Sequence, residues 1–312
     1  MIYVVVILIG VLIYLWSASL WFYKDRYTSF ISPNVDNVFD RRALPIELEH
    51  ERVMDRAVIM IHGYPSTPHS YDWASKRFYE EQYDVFVPLL PGFGTEPKEL
   101  YKTTFTQWYN YVENFYKEKR AHYKHLYVIG TSMGGSIALK LGEQFSNSPL
   151  ACDAVATIAA PVFLNDIKLG IIHKWSFYFM RLAALFTPAI NPKIHTGSEW
   201  INDGEELWIG YGGAFVRGGV SFMHALKTIR AELSKINVPL YLAHDQNDKT
   251  VNFQNLAVIK EKVSSKNVVV KITKLTSDHN RHTLLLYPSI QKELADDILT
   301  FFSDVYRAKK EQ

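Results

Sequence analysis

The sequence has almost no cysteine and no excess of charge of either sign. Among its 312 residues Cys152 is the single cysteine, so no disulfide can form within the chain. This usage fits a reducing compartment. Lys and Arg number 34 against 32 Asp and Glu, which gives a formal net charge of +2. A nearly neutral chain has no general attraction for nucleic acid, and we expect no nucleic-acid partner.

Sequence motifs for nucleotides and metals are also missing. No G-x-x-x-x-G-K-[ST] or G-x-G-x-x-G stretch occurs, so nucleotide binding is not indicated. His69, His122 and His125 have no Cys or Asp partner at the spacing of a paired metal ligand. We therefore expect neither a cofactor nor a metal. A composition of 48% apolar and 21% charged residues is typical of a folded globular chain.

Charged side chains are absent from the first 23 residues. A helix over residues 1–23 would be about 35 Å long, which is enough to cross a bilayer. Trp16, Trp21 and Tyr23 cluster at its downstream end, where aromatic side chains meet the membrane interface. We interpret this segment as a transmembrane anchor. A cleaved signal peptide would have a basic region before the apolar stretch, and a buried core helix is rarely apolar on all faces; both stay open as alternatives.

The residues after the apolar stretch bear on orientation. Residues 24–54 are mixed and charged, and we interpret them as a membrane-proximal lead-in. They include four basic residues near the membrane, with acidic residues between them: Lys24, Arg26, Arg41 and Arg42. By the positive-inside rule this bias places the rest of the chain in the cytoplasm, behind a single membrane span.

Short apolar runs alternate with helical patterns after the lead-in. The runs are rich in β-branched residues and lack a period of two, as expected for strands covered on both faces. We predict strands at 56–63, 84–94, 125–130, 153–161, 238–245 and 267–275, and helices at 104–120 and 136–146. This alternation predicts an α/β fold with a mostly parallel, doubly wound sheet formed by residues 55–161 and 237–308. Binding residues then belong at the carboxyl ends of the strands.

Residues 162–236 interrupt this alternation because no clear strand lies among them. An insertion of this length is usually functional or a subdomain. We predict a helical cap over the carboxyl ends of the strands; the alternative is that individual aromatics belong to an ordinary helical crossover. The aromatic residues of this segment are Trp175, Phe177, Tyr178, Phe179, Phe186, Trp200, Trp208, Tyr211 and Phe215.

One serine stands between glycines in GTSMGG (130–135), directly after a predicted strand. A strand that turns tightly into a helix strains its corner residue and requires small residues two positions away on either side. Gly130 and Gly134 satisfy that spacing around Ser132. The helix start that follows directs free N–H groups toward the corner. We predict Ser132 to be a nucleophile; the alternative is a structural turn.

GTSMGG and the earlier stretch IHGYPSTP (61–68) together resemble the α/β-hydrolase superfamily of serine hydrolases, over residues from about 55 to 305. In that family two backbone N–H groups bind the developing oxyanion, one after the His-Gly pair and one after the serine. The resemblance implies Tyr64 and Met133 in these roles, which lower the barrier by several kcal/mol. The alternative for His62-Gly63 is a turn that ends the strand.

The family order is serine, acid, histidine, each after a later strand. LAHDQNDKTVNF (242–253) follows a predicted strand, and its Asp248-Lys-Thr-Val resembles the family's Asp-x-x-Val. We predict Asp248 as the acid. Asp245, which stands where the family often has glycine, is the alternative acid or a residue that caps the loop.

The catalytic histidine of the family precedes a short apolar run. His282 is followed by Thr-Leu-Leu-Leu-Tyr and fits that pattern, so we predict it as the base. His279, in Ser-Asp-His, resembles another common family pattern and is the alternative base. Four other histidines are expected to be structural or exposed: His173, His195, His224 and His244.

Within the superfamily, the arrangement of motifs is most similar to the monoacylglycerol lipase and thermostable carboxylesterase group. This resemblance implies hydrolysis of a carboxylic ester of medium or long acyl chain through an acyl-enzyme, with an acyl ester or lipid as the small-molecule partner. A serine peptidase or amidase would use the same triad and is the alternative. A membrane-tethered binding protein with a silent pocket is a further alternative, and the sequence gives no basis for an oligomeric state.

Overall fold

A central sheet organises the described part of the chain, which in this computed structural model comprises residues 2–23, 25, 28–164, 180–276 and 280–311. The strands in chain order are β1 (Ile46–Leu48), β2 (Arg56–Ile61), β3 (Asp84–Val87), β4 (His125–Thr131), β5 (Ala154–Ile158), β6 (Ile190–Thr196), β7 (Ile209–Ala214), β8 (Leu240–Asp245) and β9 (Val268–Thr273). Seven of these strands form the central sheet, in the order β1-β3-β2-β4-β5-β8-β9. Apart from β1, which is antiparallel to β3, all neighbouring pairs are parallel. The predicted α/β fold with a mostly parallel sheet is confirmed.

Helices lie on both faces of the sheet. The helices of the described part of the chain are, in chain order, α1 (Ile2–Tyr23), which projects from the rest, and then α2 (Asp72–Glu80), α3 (Pro97–Leu100), α4 (Phe105–His122), α5 (Met133–Phe145), α6 (Val216–Glu232), α7 (Gln254–Lys262) and α8 (Gln291–Lys310). One buried cluster joins α4, α5, α6 and α7 to the sheet, and a second joins α2 and α8 to its other face. Each fully buried large apolar side chain contributes about 1.5–3 kcal/mol relative to exposure. With both faces covered, the carboxyl ends of the strands remain available for a site.

Two strand predictions change in the structure. Strand β3 ends at Val87 rather than at residue 94, because Pro88 has no backbone N–H to continue the ladder. Strand β1 falls within the predicted lead-in 24–54 and pairs with β3, so the sheet begins before residue 55. A three-residue edge strand is too short to produce a recognisable hydrophobic pattern.

The described part of segment 162–236 contains strands as well as helix, contrary to the expectation that no strand lies there. Strands β6 and β7 form an antiparallel ribbon, and α6 follows it. Every residue of β6 is exposed, so this strand has no apolar run by which it could be recognised in the sequence. The ribbon is tied to the core at the end of β2, where Tyr211 N donates to Pro65 O at 3.0 Å. Whether the segment is a separate cap domain with the predicted boundaries stays a prediction.

Helix α1 projects from the rest of the structure for most of its length. Residues 2–14 are all exposed, and only 6% of the apolar window Ile2–Leu20 is buried. Among the described helices it is the one long and apolar enough to cross a membrane, a test that a signal sequence also passes. A helix buried in the core does not fit this exposure.

Helix α5 carries an acidic side chain in an apolar position. Glu143 is buried, and neither carboxyl oxygen hydrogen-bonds to a described residue. Burial raises the pKa of Glu143 from 4.5 to about 8. The folded state therefore binds this proton more tightly than the unfolded chain does, and stability falls as pH rises from about 4.5 to 8.

We expect Glu143→Gln to be more thermostable than the wild type at pH 8.5, with the advantage lost near pH 5. The amide cannot ionise, so it removes the cost of a buried charge, which is on the order of a few kcal/mol. Thermal unfolding at the two pH values measures the difference. Glu80→Gln, at an exposed position of α2, is the matched control and should show no such pH dependence. If Glu143→Gln changed the unfolding temperature equally at both pH values, the raised pKa of Glu143 would be contradicted.

Candidate active site

Ser132 lies at the corner between β4 and α5. Its backbone has φ 56° and ψ −123°, an unfavourable conformation for a residue with a side chain, and its N–H donates to Ile158 O at 2.8 Å. A Cβ at Gly130 would collide with the backbone of Gly134, and one at Gly134 would collide with Ile61 O. Both glycines are therefore needed for this corner, which presents the serine side chain at the carboxyl edge of the sheet.

The loop after β2 packs directly against the serine. A Cβ on Gly63 would lie 3.0 Å from Ser132 Cβ and 3.3 Å from Thr131 O, a tight contact that favours glycine. Gly63, Tyr64 and Ser132 line the same cavity. Met133 is the first residue of α5, where backbone N–H groups have no partner within the helix. Tyr64, one of the two predicted oxyanion donors, thus borders the cavity beside Ser132, and Met133, the other, follows Ser132 directly in the chain.

His62 holds this loop in place. Its Nε2 accepts a hydrogen bond from Leu90 N at 3.2 Å, so the proton is on Nδ1, which donates to Gly63 O at 3.0 Å. Burial lowers the pKa of His62 to about 4, with the Gly63 carbonyl opposing that shift. The imidazole is therefore neutral at physiological pH and joins the loop after β2 to the loop after β3.

Asp248 and His282 are joined at the edge of the sheet. Nδ1 of His282 lies 2.7 Å from Oδ2 of Asp248. The other carboxylate oxygen accepts Thr250 N at 2.7 Å and Val251 N at 2.9 Å. Burial alone would raise the pKa of Asp248, but the neighbouring histidines and the Val251 N–H hold it well below its ordinary value. Asp248 is thus an ionised acceptor that fixes the orientation of the His282 ring.

Asp245 has a different set of partners. Its carboxylate accepts hydrogen bonds from Asn247 N at 2.8 Å, from Thr273 Oγ1 at 2.7 Å and from Leu275 N at 2.8 Å. These contacts join the ends of β8 and β9. The loop-capping alternative for Asp245 agrees with this geometry. His279, the alternative base, lies outside the described residues.

The free edge of the His282 ring faces the cavity that contains Ser132. Nε2 of His282 is buried and makes no hydrogen bond to the residues that the structure describes. The cavity has a volume of about 350 Å³ and is lined by both Ser132 and His282. It lies at the carboxyl ends of the strands, where the parallel sheet predicts a binding site. The arrangement provides a hydroxyl and an oriented imidazole on the wall of one cavity.

Residues 195–208 form the outer wall of this cavity. The side chains from this stretch are His195, Ser198, Trp200, Asn202, Glu205, Glu206 and Trp208. Glu205 accepts Asn280 N at 2.9 Å, which joins the cap segment to the loop that carries His282. The wall is therefore a mixture of two indole rings and polar groups.

The aromatics of the cap segment separate into different environments. Trp200 and Trp208 line the cavity, whereas Phe186 is exposed elsewhere on the surface. Tyr211 and Phe215 are buried in the core rather than in the cavity; the Tyr211 hydroxyl accepts Thr95 N at 2.8 Å and donates to Gly92 O at 3.2 Å. For these two residues the core alternative is correct. Trp175, Phe177, Tyr178 and Phe179 lie outside the described residues.

His244 is a partner of the predicted acid that sequence reasoning missed. It is buried at the end of β8, and its Nε2 lies 3.1 Å from the same Asp248 oxygen that His282 contacts. Because the carboxylate can only accept, His244 donates from Nε2. Its place four residues before Asp248, at a strand end, is a signal in the sequence that could have indicated this contact. Asp248 thus receives four hydrogen bonds, two of them from imidazoles.

We expect His244→Leu to lower kcat about tenfold or more with little change in KM. A hydrogen bond to a charged group contributes about 1.5–3 kcal/mol, and its loss would leave Asp248 less firmly positioned behind His282. His244→Gln retains an N–H donor and should recover part of kcat. Equal losses of kcat in His244→Leu and His244→Gln, together with a loss of stability, would show a packing role alone.

Comparisons with known proteins agree with this geometry. Residues 53–286 match the family described as serine aminopeptidase, S33. A thermostable monoacylglycerol lipase from Bacillus sp. (strain H-257) is 34% identical over 113 residues, 36% of this chain and 44% of the relative. A carboxylesterase from Bacillus subtilis (strain 168) is 29% identical over 89 residues, 28% of this chain and 36% of the relative. The matched regions span less than half the length of these curated relatives.

A solved structure shows that the likeness in fold extends much further than these matches. A structure of the metagenome-derived lipolytic enzymes LipS and LipT superimposes with a TM-score of 0.68 at 18% identity, and covers 88% of this chain and 100% of that chain. The described part of the chain therefore has the α/β-hydrolase fold. The chain belongs to the serine aminopeptidase S33 family.

Proposed function

We propose that this protein is a membrane-anchored serine hydrolase that cleaves carboxylic esters through an acyl-enzyme. Ser132 Oγ attacks the ester carbonyl as its proton passes to Nε2 of His282. The N–H groups of Tyr64 and Met133 stabilise the oxyanion of the tetrahedral intermediate. The C–O bond to the alcohol then breaks, and His282 returns the proton to the departing oxygen. Asp248 stays ionised throughout and supports the imidazolium.

The observation that carries this proposal is the orientation of His282. Its Nδ1 is bound to Asp248 at 2.7 Å, while Nε2 is left at the wall of the cavity that Ser132 also lines. His62 differs in this respect, because both of its ring nitrogens are engaged in hydrogen bonds. In the second half of the reaction, a water molecule next to the acyl group on Ser132 gives a proton to Nε2 of His282. The water oxygen adds to the acyl carbon, the bond between that carbon and Ser132 Oγ breaks, and Nε2 of His282 returns the proton to Oγ.

The substrate that we propose is an acyl ester of medium or long chain, such as an acylglycerol. The partial identity to a monoacylglycerol lipase and to a carboxylesterase supports this class. The cavity supports it chemically, because Trp200, Trp208 and Leu286 offer apolar surface for an acyl chain. The polar groups of residues 195–206 offer partners for a hydroxylated alcohol.

Membrane attachment is the second part of the proposal. The exposure of residues 2–14 and the absence of charge in residues 1–23 support a single transmembrane helix. The basic residues that follow this segment support a cytoplasmic catalytic domain. The core of that domain would comprise residues 55–161 and 237–308 together with strand β1 from the lead-in 24–54, and a cap of residues 162–236 would cover it.

A serine aminopeptidase is the second candidate, and the description of the matched family favours it. One series of substrates separates the two activities: p-nitrophenyl esters of increasing acyl length beside aminoacyl p-nitroanilides. We expect kcat/KM to rise with acyl length until the cavity is filled, by at most about 0.8 kcal/mol for each buried CH₂. Faster cleavage of the anilides would establish the peptidase. A constant rate across the esters would show that the cavity does not bind the acyl chain.

A further inference from the structure

Helix α1 is fastened to the segment that we interpret as the cap. Arg181 is buried, with 4% of its surface exposed, and its Nε donates to Ser19 Oγ at 2.9 Å. The Ser19 hydroxyl in turn donates to Trp16 O at 2.6 Å. The Arg181 guanidinium also lies 3.9 Å from the centre of the Trp16 ring, a cation–π contact. The last turns of the apolar helix are therefore a packed part of the protein.

A second attachment fixes the base of the helix. Asp25, just after α1, accepts hydrogen bonds from Thr106 N at 3.0 Å and from Ser221 Oγ at 2.9 Å. Thr106 belongs to the first turn of α4, where a negative charge is favourable, and Ser221 belongs to α6. Contacts at residue 25 and at residues 16–19 fix the direction of α1 relative to the rest of the protein.

The free length of α1 is shorter than a membrane. Residues 2–14 are exposed on all sides, and at 1.5 Å per residue they span about 20 Å. The hydrocarbon core of a bilayer is about 30 Å thick. The missing 10 Å or so corresponds to residues 15–20, which lie beside Arg181. If α1 spans the bilayer, the Arg181 contact lies at the membrane boundary.

The surface at that boundary is the helical turn of residues 180–187. Backbone hydrogen bonds from Ala184 N to Met180 O and from Thr187 N to Ala183 O define the turn. Arg181 and Ala184 point inward and are buried, whereas Phe186 is 70% exposed. Arg217 Nε donates to Ala184 O at 3.2 Å and brings a positive charge to the same turn. A turn that carries an exposed aromatic ring and also contacts an arginine suits the headgroup region of a membrane.

We propose that the turn of residues 180–187 is seated in the membrane interface, with the Phe186 ring inserted among lipid headgroups and acyl chains. The partner of this surface is a phospholipid bilayer. The inference rests on the proposed transmembrane helix. In this arrangement the catalytic domain is held at a fixed depth and angle, and the cap segment is the part of the domain nearest the lipid.

The test measures the depth of residue 186 in full-length protein reconstituted into vesicles of phosphatidylcholine and phosphatidylserine. Cys152 is buried, and Cys152→Ala removes the single native thiol. Phe186→Cys in that background is labelled with nitrobenzoxadiazole and quenched with doxyl-labelled lipids. Val53→Cys is the matched control, because Val53 is 98% exposed and lies between β1 and β2, at the amino end of β2. We expect blue-shifted emission and strong quenching at 186 and neither at 53.

The outcomes separate this proposal from the ones it rests on. The protein could float with vesicles and hydrolyse soluble esters while the labels at residues 186 and 53 show the same emission and quenching. That result would overturn the seated turn and leave the proposed anchored esterase unaffected. Protein that does not float would overturn both the anchor and the seated turn. As a second readout, Phe186→Asp should lower activity on a long-chain ester in vesicles severalfold while activity on a soluble ester stays unchanged. Val53→Asp should change neither, and equal effects of the two aspartates would count against the proposal.

Discussion

Replacement of Ser132 by alanine is expected to abolish ester hydrolysis while the protein stays folded. The proposed mechanism has no other group that can form the acyl-enzyme, and loss of a serine nucleophile typically lowers kcat by several orders of magnitude. The change removes one hydroxyl from a cavity wall, so it should cost little packing. Steady-state hydrolysis of a short p-nitrophenyl ester gives the rate, and thermal unfolding gives the stability.

Ser70→Ala is the matched control for that experiment. Ser70 lines the same cavity, and its hydroxyl donates to Thr67 O at 3.0 Å, away from any proposed chemistry. We expect it to keep most of the activity. If Ser132→Ala retained more than about a hundredth of the wild-type kcat, Ser132 would not be the nucleophile.

The second large effect is expected at the base. His282→Ala should lower kcat about as much as Ser132→Ala, because members of a catalytic triad act as a unit and their losses are not additive. The double variant should therefore be no slower than either single variant. Hydrolysis of the same short ester provides the measurement.

His279→Ala is the control, since it removes the other histidine of the same loop. We expect it to have a mild effect. A reversed result, with His282→Ala active and His279→Ala inactive, would assign the base to His279 and leave the remainder of the mechanism unchanged. Two inactive variants with normal unfolding temperatures would show that both imidazoles are needed.

Features that depend on neighbouring residues in the sequence could be predicted. A tight strand–helix turn has no room for side chains two residues before and after its corner. Gly130 and Gly134 therefore predict the corner at Ser132. The parallel sheet follows from continuous apolar runs. Asp248 was chosen because Asp248-Lys-Thr-Val resembles the family's Asp-x-x-Val. In the structure this carboxylate is the one that contacts His282.

The parts that depend on contacts distant in sequence were not predictable. Strand β6 is exposed along its whole length, and three of the six residues of its partner β7 are glycine, so the ribbon leaves no apolar run in the sequence. Arg181 and Trp16 are far apart in the chain, and neither carries a local signal of their contact. The hydrophobic stretch predicted a helix but not where that helix is fastened.

The central claim is that Ser132 forms a covalent intermediate with help from His282 and Asp248. Labelling of the full-length protein with a fluorophosphonate, followed by peptide mass spectrometry, tests it most directly. We predict one adduct, on the peptide that contains Ser132, formed at a much lower rate in His282→Ala and absent from Ser132→Ala. An unlabelled wild-type protein would indicate a binding protein with a silent pocket. An adduct on another residue of an active enzyme would contradict the proposed mechanism.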